Sequence, residues 1–209
     1  MQAFRTITGA AIPLLMDDIN TDQIIPSAYL KDMQADMAKG FLAYMRRNPD
    51  DTSISDFVLE KPQYQGAPIL LTGNNFGCGS SREHAVWAMT SYGVRCVIGN
   101  NPAEFFRENC LKNGVLPVAL DPVQMAALIA LASKVDGSEV FTVDLEKLEI
   151  SGPGAYSCPF SIAPFERIAL LEGLDDIGIT QKQLADIEAW EIKIQRQRPF
   201  MQASIANIA

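Results

Sequence analysis

Histidine is nearly absent from this sequence, and several familiar catalytic and binding patterns are missing. His84 is the only histidine, and it lies three to four residues from Ser80 and Ser81. A Ser-His-Asp hydrolase needs a histidine that reaches its serine from elsewhere in the fold, so this class is disfavoured. The four cysteines form no C-x-x-C pair and no recognisable metal-binding spacing. No apolar run approaches the roughly 18 residues of a membrane-spanning helix. The sequence therefore indicates neither a membrane-spanning chain nor a metal site built from its own cysteines.

Positively charged residues are also fewer than negatively charged ones. Lys and Arg number 17 against 25 Asp and Glu, which gives a formal net charge of -8. Such a chain is a poor partner for nucleic acid or for an anionic membrane. The first residues, MQAFRTITG, lack the hydrophobic core of a signal peptide, so we expect a cytoplasmic protein. At 209 residues, 48% of them hydrophobic, the chain has the size of a single domain, which we expect over residues 1–209.

A glycine-rich stretch, Gly73 to His84, is the most informative part of the chain. It lies between an apolar run, Ile69 to Leu71, and an amphipathic run, Ala85 to Tyr92. This order predicts a buried strand, a loop and a helix. The three glycines of the loop are predicted to adopt positive φ angles, which let a backbone approach a ligand closely: Gly73, Gly77 and Gly79.

The second half of that loop favours an anion. Ser80 and Glu83 have the spacing of a capping box, which predicts that the helix begins near Ser80 or Ser81. A helix N-terminus attracts negative charge, and Arg82 adds a bidentate donor for a carboxylate or phosphate. The loop does not match a P-loop, a dinucleotide-binding fingerprint or a nucleophile elbow. A glycine-rich turn without chemistry also fits the pattern, so both interpretations stay open.

Alternating strand and helix signals predict an α/β fold with a mostly parallel central sheet flanked by helices. The final part of the chain predicts short strands, then helices that form a C-terminal extension from about residue 164 to 209. The predicted strands are Ala10–Leu15, Ile69–Leu71, Val94–Ile98, Leu116–Leu120, Val140–Asp144, Lys147–Ile150 and Tyr156–Phe160. Four further helices are predicted, over residues 101–113, Val123–Ala132, Pro164–Leu171 and Thr180–Gln197. The first begins at Asn101-Pro102, and the second is expected to be buried nearly all round because it is apolar on almost every side.

Two motifs together resemble the aconitase superfamily. The stretch GCGSSREH after an apolar strand is similar to the serine loop of that superfamily's swivelling domain, and Asp18 to Pro26 (DINTDQIIP) resembles its N-terminal D-x-x-T-D-x-I-x-P stretch. Residues 56–66 and Leu111 to Val118 also fit. Within the superfamily, the chain resembles the small subunits of bacterial 3-isopropylmalate dehydratases, from about Ile12 to Phe200. The resemblance implies a swivelling β/β/α domain.

The resemblance also implies a chemistry, the dehydration and rehydration of a 2-hydroxy diacid that interconverts 2- and 3-isopropylmalate in leucine biosynthesis. Ser80 would be the serine base, with Asp22 beside it as a second catalytic residue, although a turn carboxylate is the plainer interpretation of Asp22. The implied substrate-binding residues are Arg82, Ser81, Gly79, Cys78, Tyr29 and Leu30, with Thr21 and His84 supporting them from behind.

A partner is implied because this chain lacks a credible set of cysteine ligands for an iron–sulfur cluster. Cys96 and Cys110 are expected to be buried, and Cys78 lies in the loop. By resemblance, a large subunit would carry a [4Fe-4S] cluster, whose iron would receive the leaving hydroxyl, while this chain would bind no metal. The active unit would then be at least a heterodimer.

The resemblance implies a diacid substrate but leaves the side group of that substrate open. The chain has Gly40-Phe41-Leu42 where the commoner bacterial pattern has Gly-Phe-Gly, and Tyr29 precedes Leu30 where Phe is frequent. This departure keeps open a related dehydratase for methylmalate, citraconate or another short diacid. A non-catalytic anion-binding module is the alternative of another class. Lys31 is expected to face solvent, so Tyr29 and Leu30 predict an apolar wall for an isopropyl group.

Overall fold

The computed structural model describes residues 1–31, 36–50, 52–134 and 139–198. It separates into two units, Met1–Gly173 and Leu174–Ala209. Part of the segment expected to choose the substrate, residues 32–35, lies outside the described residues, as does the end of the resemblance at Phe200.

A parallel sheet runs through the first unit. Its strands lie in the order β2 (Ala11–Leu14), β3 (Ile69–Thr72), β4 (Cys96–Gly99) and β5 (Leu116–Ala119), and every neighbouring pair is parallel. All residues of β3 and β4 are buried, as expected for strands covered on both faces. The helices that connect these strands are α4 (His84–Tyr92) and α5 (Glu104–Lys112), and α6 (Pro122–Ala132) follows β5. The predicted parallel sheet with helical connections is confirmed.

A second, antiparallel sheet forms from both ends of the first unit. Its order is β1 (Thr6–Gly9), β6 (Phe141–Asp144), β7 (Glu149–Gly152) and β8 (Tyr156–Pro159). Strands β6 and β8 agree with the predicted strands to within one residue at each end, whereas β7 begins and ends two residues later than the predicted Lys147–Ile150. Strand β1 was not predicted, because its four residues TITG alternate only between exposed and half-buried positions and offer no apolar face.

The two faces of the parallel sheet support two buried clusters. On β3, Leu70 contributes to one cluster, with residues of α4 and α5 such as Met89 and Phe106. Ile69 and Leu71 point the other way, because side chains alternate across a strand. They join a second cluster that contains α6 and the antiparallel sheet, for example through Leu128, Val143 and Ile150. The layers are therefore sheet, sheet and helices, which is the predicted β/β/α arrangement.

The helix boundaries differ from the predictions in informative ways. Helix α6 begins as predicted, with Asp121 and Gln124 forming a capping box. Its face is only partly buried, since Val123 is 80% exposed, so the expectation of burial nearly all round was wrong. Helix α5 begins at Glu104 with Ala103 as its N-cap rather than at Asn101-Pro102. The Asn101 carbonyl instead accepts a hydrogen bond from Asn75 N, which keeps this residue in the loop.

Among its described residues, the first unit also contains three shorter α-helices and one further helix after β8. One turn each forms α1 (Thr21–Ile24), α2 (Met37–Gly40) and α3 (Ala43–Arg46). Helix α7 (Pro164–Glu172) follows β8 and belongs to the first unit.

The second unit contains α8 (Asp176–Gln181) and α9 (Leu184–Gln197). The single helix predicted over Thr180–Gln197 is thus wrong at its start. Asp175 caps an earlier helix by accepting from Gly178 N at 2.7 Å, and the chain leaves helical geometry before α9 begins. Whether residues 1–209 act as one domain with an extension from about residue 164 stays a prediction.

Candidate active site

The two family-like motifs meet at one edge of the parallel sheet. Strand β2 ends at Leu14 and leads into the segment that carries Thr21 and Asp22, whereas β3 ends at Thr72 and leads into the glycine-rich loop. These strands are direct neighbours and run in parallel. Residues that follow the carboxyl ends of adjacent parallel strands lie close together, which is where ligands bind in such sheets. The fold therefore brings the two motifs together although they are some sixty residues apart in the sequence.

Backbone hydrogen bonds join the two segments. Gly77 N donates to the Ile19 carbonyl at 2.7 Å, and Thr21 N donates to the Cys78 carbonyl at 2.9 Å. Ser80 N donates to Thr21 Oγ1 at 3.0 Å. The Thr21 side chain, only 2% exposed, therefore supports the loop from beneath. This contact agrees with the supporting position predicted for Thr21, while its part in catalysis stays a prediction.

Two further acidic residues, of which only Asp18 belongs to the quoted motif, also tie the segments together. Asp17 Oδ1 accepts from Asn74 N at 2.7 Å, and Asp18 Oδ1 accepts from Asn75 Nδ2 at 2.8 Å. Cys78 Sγ lies 3.6 Å from the Asp18 carbonyl oxygen, a long sulfur contact between the two segments. These contacts help to hold the loop in its conformation.

Asp22 and Arg82 form an ion pair at the surface of the site. Arg82 Nη1 donates to Asp22 Oδ1 at 2.7 Å, with side-chain exposures of 39% and 65%. Exposed pairs contribute little to stability because water competes for both groups. A substrate carboxylate can therefore reach the Arg82 guanidinium without entering a closed interior.

The start of helix α4 corrects one prediction. The helix begins at His84 with Glu83 as its N-cap, and Glu83 makes no side-chain capping bond. The capping box predicted from Ser80 to Glu83 does not form. Ser80 N is bonded to Thr21 Oγ1, and the Ser81 carbonyl accepts from Asn109 Nδ2 at 2.9 Å, so both serines are held in the loop by other elements. Ser80, Ser81 and Arg82 consequently precede the helix instead of forming its first turn.

Two of the three loop glycines adopt the predicted conformation, and the third does not. Gly77 and Gly79 have φ angles of +80° and +99°, as predicted. Gly73 does not adopt a positive φ, so that prediction was wrong. It is required for space, because a Cβ there would collide with the Met16 carbonyl. A Cβ on Gly77 would likewise overlap the Phe106 ring of α5, which forms the floor under this part of the loop.

His84 lies at the first residue of α4 with its ring 4.6 Å from the Trp87 ring. Its Nδ1 is buried, and among the described residues it has no hydrogen-bond partner. The ring thus packs beside the loop, while its supporting role stays a prediction.

The candidate specificity residues lie on a 3₁₀ turn, Ser27–Leu30. Tyr29 and Leu30 are partly buried and pack against the cluster that contains α4. Tyr29 lines a cavity of about 450 Å³ together with residues of the segment 43–49 (Ala43, Tyr44, Arg47, Asn48 and Pro49). Phe41 and Leu42 are fully buried in the core. The departure Gly40-Phe41-Leu42 therefore shapes the core behind the candidate wall, and Leu42 adopts a positive φ of 53° there.

The described residues contain no group of three or more His, Cys, Asp or Glu side chains that could hold a metal ion. Cys96, Cys110 and Cys158 are buried, and burial raises the pKa of Cys96 and Cys110. Protonated, buried thiols are poor ligands. The donor set does not fit an iron–sulfur cluster. Within the same described residues, no helix is long and apolar enough to cross a membrane.

Comparison with known proteins identifies the family. The family model of the aconitase C-terminal domain matches residues 1–123, which include both motifs and their strands. The chain is 46% identical over 201 residues to the 3-isopropylmalate dehydratase small subunit of Brucella anthropi, covering 96% of this chain and 100% of the relative. It is 42% identical over 202 residues to the small subunit of Paracoccus denitrificans, with the same coverage.

The chain belongs to the 3-isopropylmalate dehydratase small-subunit family.

A solved structure supports the fold of this small subunit. The crystal structure of a 3-isopropylmalate dehydratase from Methanocaldococcus jannaschii matches with a TM-score of 0.63, covering 88% of this chain and 99% of that chain. Its sequence identity is 24%, so it bears on fold alone. The family and the fold class expected from the two motifs are both confirmed.

Sequence reasoning also missed Asn109, which contacts the second half of the glycine-rich loop. Asn109 of α5 is 8% exposed and donates to the Ser81 carbonyl. It shares the buried face of its helix with Phe106 and Cys110, at positions i, i+3 and i+4. A polar residue on an otherwise apolar face was the available signal, because a buried amide requires a hydrogen-bond partner.

Proposed function

We propose that this chain is the small subunit of a 3-isopropylmalate dehydratase, a hydro-lyase that interconverts 2-isopropylmalate and 3-isopropylmalate in leucine biosynthesis. The observation that carries the proposal is the joining of the two family motifs, Thr21 to Ser80 and Asp22 to Arg82, within one exposed site. Full-length similarity to curated small subunits supports it.

In this proposal Ser80 is the base that removes the proton α to a carboxylate. Such a proton is weakly acidic, so the base needs a pre-organised electrostatic site. Ser80's own N–H is bonded to Thr21 and is not aimed at the developing charge. The Arg82 guanidinium is therefore the principal positive group that this chain offers to the Ser80 oxygen and to the substrate.

Arg82 and Ser81 would hold one substrate carboxylate, with Gly79 and Cys78 lining the approach. A guanidinium binds a carboxylate through two parallel N–H donors, which fixes its orientation as well as its charge. The Asp22 carboxylate occupies one of these donors in the free subunit. Asp22 would keep Arg82 directed at the site until the substrate's carboxylate takes up the remaining donors.

The rest of the reaction would belong to a partner. Since this chain's donor set does not fit a cluster, we place the [4Fe-4S] cluster, which would accept the leaving hydroxyl, on a large subunit. The active unit is then a heterodimer or a larger assembly, and the cytoplasm is the expected compartment.

Neither alternative gains support. The argument for a methylmalate or citraconate dehydratase rested on the altered region from Tyr29 to Phe41, and Phe41 and Leu42 are buried in the core while Tyr29 keeps an aromatic ring on the candidate wall. An anion-binding module without catalysis is disfavoured by full-length similarity to subunits named as dehydratases.

Reconstitution tests the proposal. The purified chain alone is expected to be colourless, iron-free and inactive, and to support isomerisation of isopropylmalate only when mixed with a cluster-bearing large subunit. Stoichiometric iron and sulfide in the isolated chain, or turnover without the partner, would contradict the divided active site. An inactive mixture with a large subunit that is active with another small subunit would contradict the proposed function.

A further inference from the structure

Buried side chains from two different elements hold the backbone of Ser80 and Ser81 at both ends. Ser80 N donates to Thr21 Oγ1 at 3.0 Å, and the Ser81 carbonyl accepts from Asn109 Nδ2 at 2.9 Å. Both supporting side chains are nearly inaccessible to solvent. The two serine side chains therefore project from a two-residue segment whose first N–H and last carbonyl are both fixed.

Ser80 and Ser81 need this support because they lie beyond the part of the loop that backbone bonds hold. Backbone hydrogen bonds to the neighbouring segment, such as Gly77 N to the Ile19 carbonyl, fix the loop only as far as Cys78. Gly79 then adopts a positive φ angle, and glycine leaves a chain more conformational freedom than any other residue. Helix α4 begins only at His84, so Ser80 and Ser81 also precede its hydrogen-bonded turns. Side-chain contacts from outside the loop therefore hold these two residues.

Asn109 is well placed to provide that constraint. Its helix also carries Phe106, whose ring fills the space beneath Gly77, so α5 contacts the loop at two points. A buried amide is unfavourable unless it is hydrogen-bonded, whereas an apolar side chain at the same position would pack without that requirement. The bond to the Ser81 carbonyl is the contact that distinguishes Asn109 from its apolar neighbours on this face.

We propose that Asn109 is a positioning residue, which fixes the Ser81 carbonyl and thereby the direction of the Ser80 hydroxyl. Its effect on catalysis rests on the function proposed above. A displacement of about 1 Å in a reacting group can lower a rate by about 10²-fold. A base acts only in the transition state, so its displacement lowers kcat more than it alters KM.

Kinetics of the reconstituted complex test this role. Asn109→Ala removes the amide, and Asn109→Asp keeps its shape while placing an acceptor against the Ser81 carbonyl. Both are expected to lower kcat by about 10²-fold, with KM changed less than about threefold. Retention of wild-type kcat in both variants, or a loss confined to KM, would overturn the proposal.

Asn113→Ala is the matched control. Asn113 lies four residues further along, directly after α5; its Nδ2 donates to the Asn109 carbonyl at 2.8 Å, and its Oδ1 accepts from Trp87 Nε1 of α4 at 2.9 Å. Asn113→Ala should keep kcat within about threefold, since neither of the two bonds it removes involves Ser80 or Ser81. An equal kcat loss in Asn113→Ala would mean that weakening α5 in general, and not the Ser81 contact, causes the defect.

Hydrogen exchange of the isolated small subunit tests the contact without any substrate. Asn109→Ala and Asn109→Asp should accelerate exchange of the amides from Ser80 to His84, whereas Asn113→Ala should not. Unchanged exchange in both Asn109 variants would overturn the proposal, and thermal unfolding shows whether each variant is folded. Failure of the wild-type complex to convert isopropylmalate would contradict the proposed function, whereas the exchange result decides whether Asn109 holds the loop.

Discussion

The Asp22 carboxylate accepts a hydrogen bond from the Arg82 guanidinium at 2.7 Å, and this contact joins the two motifs at the mouth of the site. Both side chains are partly exposed, so the pair is open to exchange with a diacid. A substrate carboxylate would replace water around Arg82 and make Asp22 the second of two acceptors on one guanidinium.

Arg82→Lys is expected to weaken substrate binding more than it slows the chemical step. Lys keeps the positive charge but loses the planar pair of donors, so KM should rise about tenfold while kcat falls less. Steady-state kinetics of the reconstituted complex measure both constants.

The control is Arg5→Lys, which alters another exposed arginine–carboxylate pair, with Glu146 on the antiparallel-sheet side of the first unit. This variant should leave both constants unchanged. A KM close to the wild-type value in Arg82→Lys would mean that Arg82 is structural.

Ser80→Ala should lower kcat by at least about 10³-fold, the scale lost when a key catalytic group is removed. Ser81→Ala should lower it much less, because Ser81 only assists in holding a carboxylate. Both variants should still assemble with the large subunit, which gel filtration can show. Equal losses, or a larger loss in Ser81→Ala, would reverse the two roles.

Thr21→Val should destabilise the small subunit, because it leaves the Ser80 N–H without its acceptor. An unsatisfied donor of this kind costs about 1–3 kcal/mol. For a chain of this size, each kcal/mol lowers Tm by about 2–4 °C. Thr21→Ser keeps the hydroxyl and should retain most of the stability. A Tm of Thr21→Val equal to that of the wild type would show that the bond contributes nothing.

Stability below neutral pH should depend on Glu60. Its Oε1 accepts from Arg46 Nε at 2.6 Å, and its Oε2 accepts from Ser53 Oγ at 2.6 Å. Burial raises the pKa of Glu60, but the bonds from Ser53 and Arg46 outweigh burial, and its pKa falls below the ordinary value of 4.5. A lowered folded-state pKa stabilises the fold above the unfolded pKa, and this stabilisation is lost as pH falls through the folded value.

Urea unfolding of wild type and Glu60→Gln measures this contribution. The difference in unfolding free energy between them should be largest near neutral pH and should shrink below pH 4.5. Comparing the two proteins removes the common effect of other carboxylates. A difference that stays constant over the acid range would contradict the assignment to the Glu60 charge.

We expect the reconstituted complex to distinguish its substrates by the size of their side group. Isopropylmalate presents two more carbons than citramalate, and burying them at about 0.8 kcal/mol each favours isopropylmalate by roughly tenfold in kcat/KM. Leu30→Ala should reduce this discrimination. Competition among isopropylmalate, citramalate, homoaconitate and citrate measures it. A higher kcat/KM for citramalate would contradict the preference, and unchanged discrimination in Leu30→Ala would place the wall in the large subunit.

The two strands that lead into the motifs could be predicted from the sequence, but their pairing could not. Apolar runs before Asp17 and before Gly73 predict two strands of a mostly parallel sheet, whereas the structure shows that they are direct neighbours, which brings the residues after their carboxyl ends together. Strand β1 could not be anticipated, because its stability comes from pairing with β6 far along the chain.

The start of α4 shows the limit of local patterns. Ser80 and Glu83 have capping-box spacing, but a hydrogen bond from Ser80 N to Thr21 and one from Asn109 to the Ser81 carbonyl hold the serines in another conformation. Tertiary partners overrode a local preference that is worth only about 1 kcal/mol. Asn109 itself carried a usable signal, namely a single amide among the apolar residues of its helix face.

The pairing of β1 with β6 has a consequence for synthesis of the chain. Ile7 faces Val143 in that ladder, so the first strand has no partner until most of the first unit has left the ribosome. At about 5–20 residues per second, this interval lasts roughly 7–27 s. During that time β3 and α4 are synthesised and can pack with β2, whereas the edge of β1 stays exposed to chaperones and to other nascent chains. We therefore expect completion of the antiparallel sheet, and not of the glycine-rich loop, to be the late event in co-translational folding.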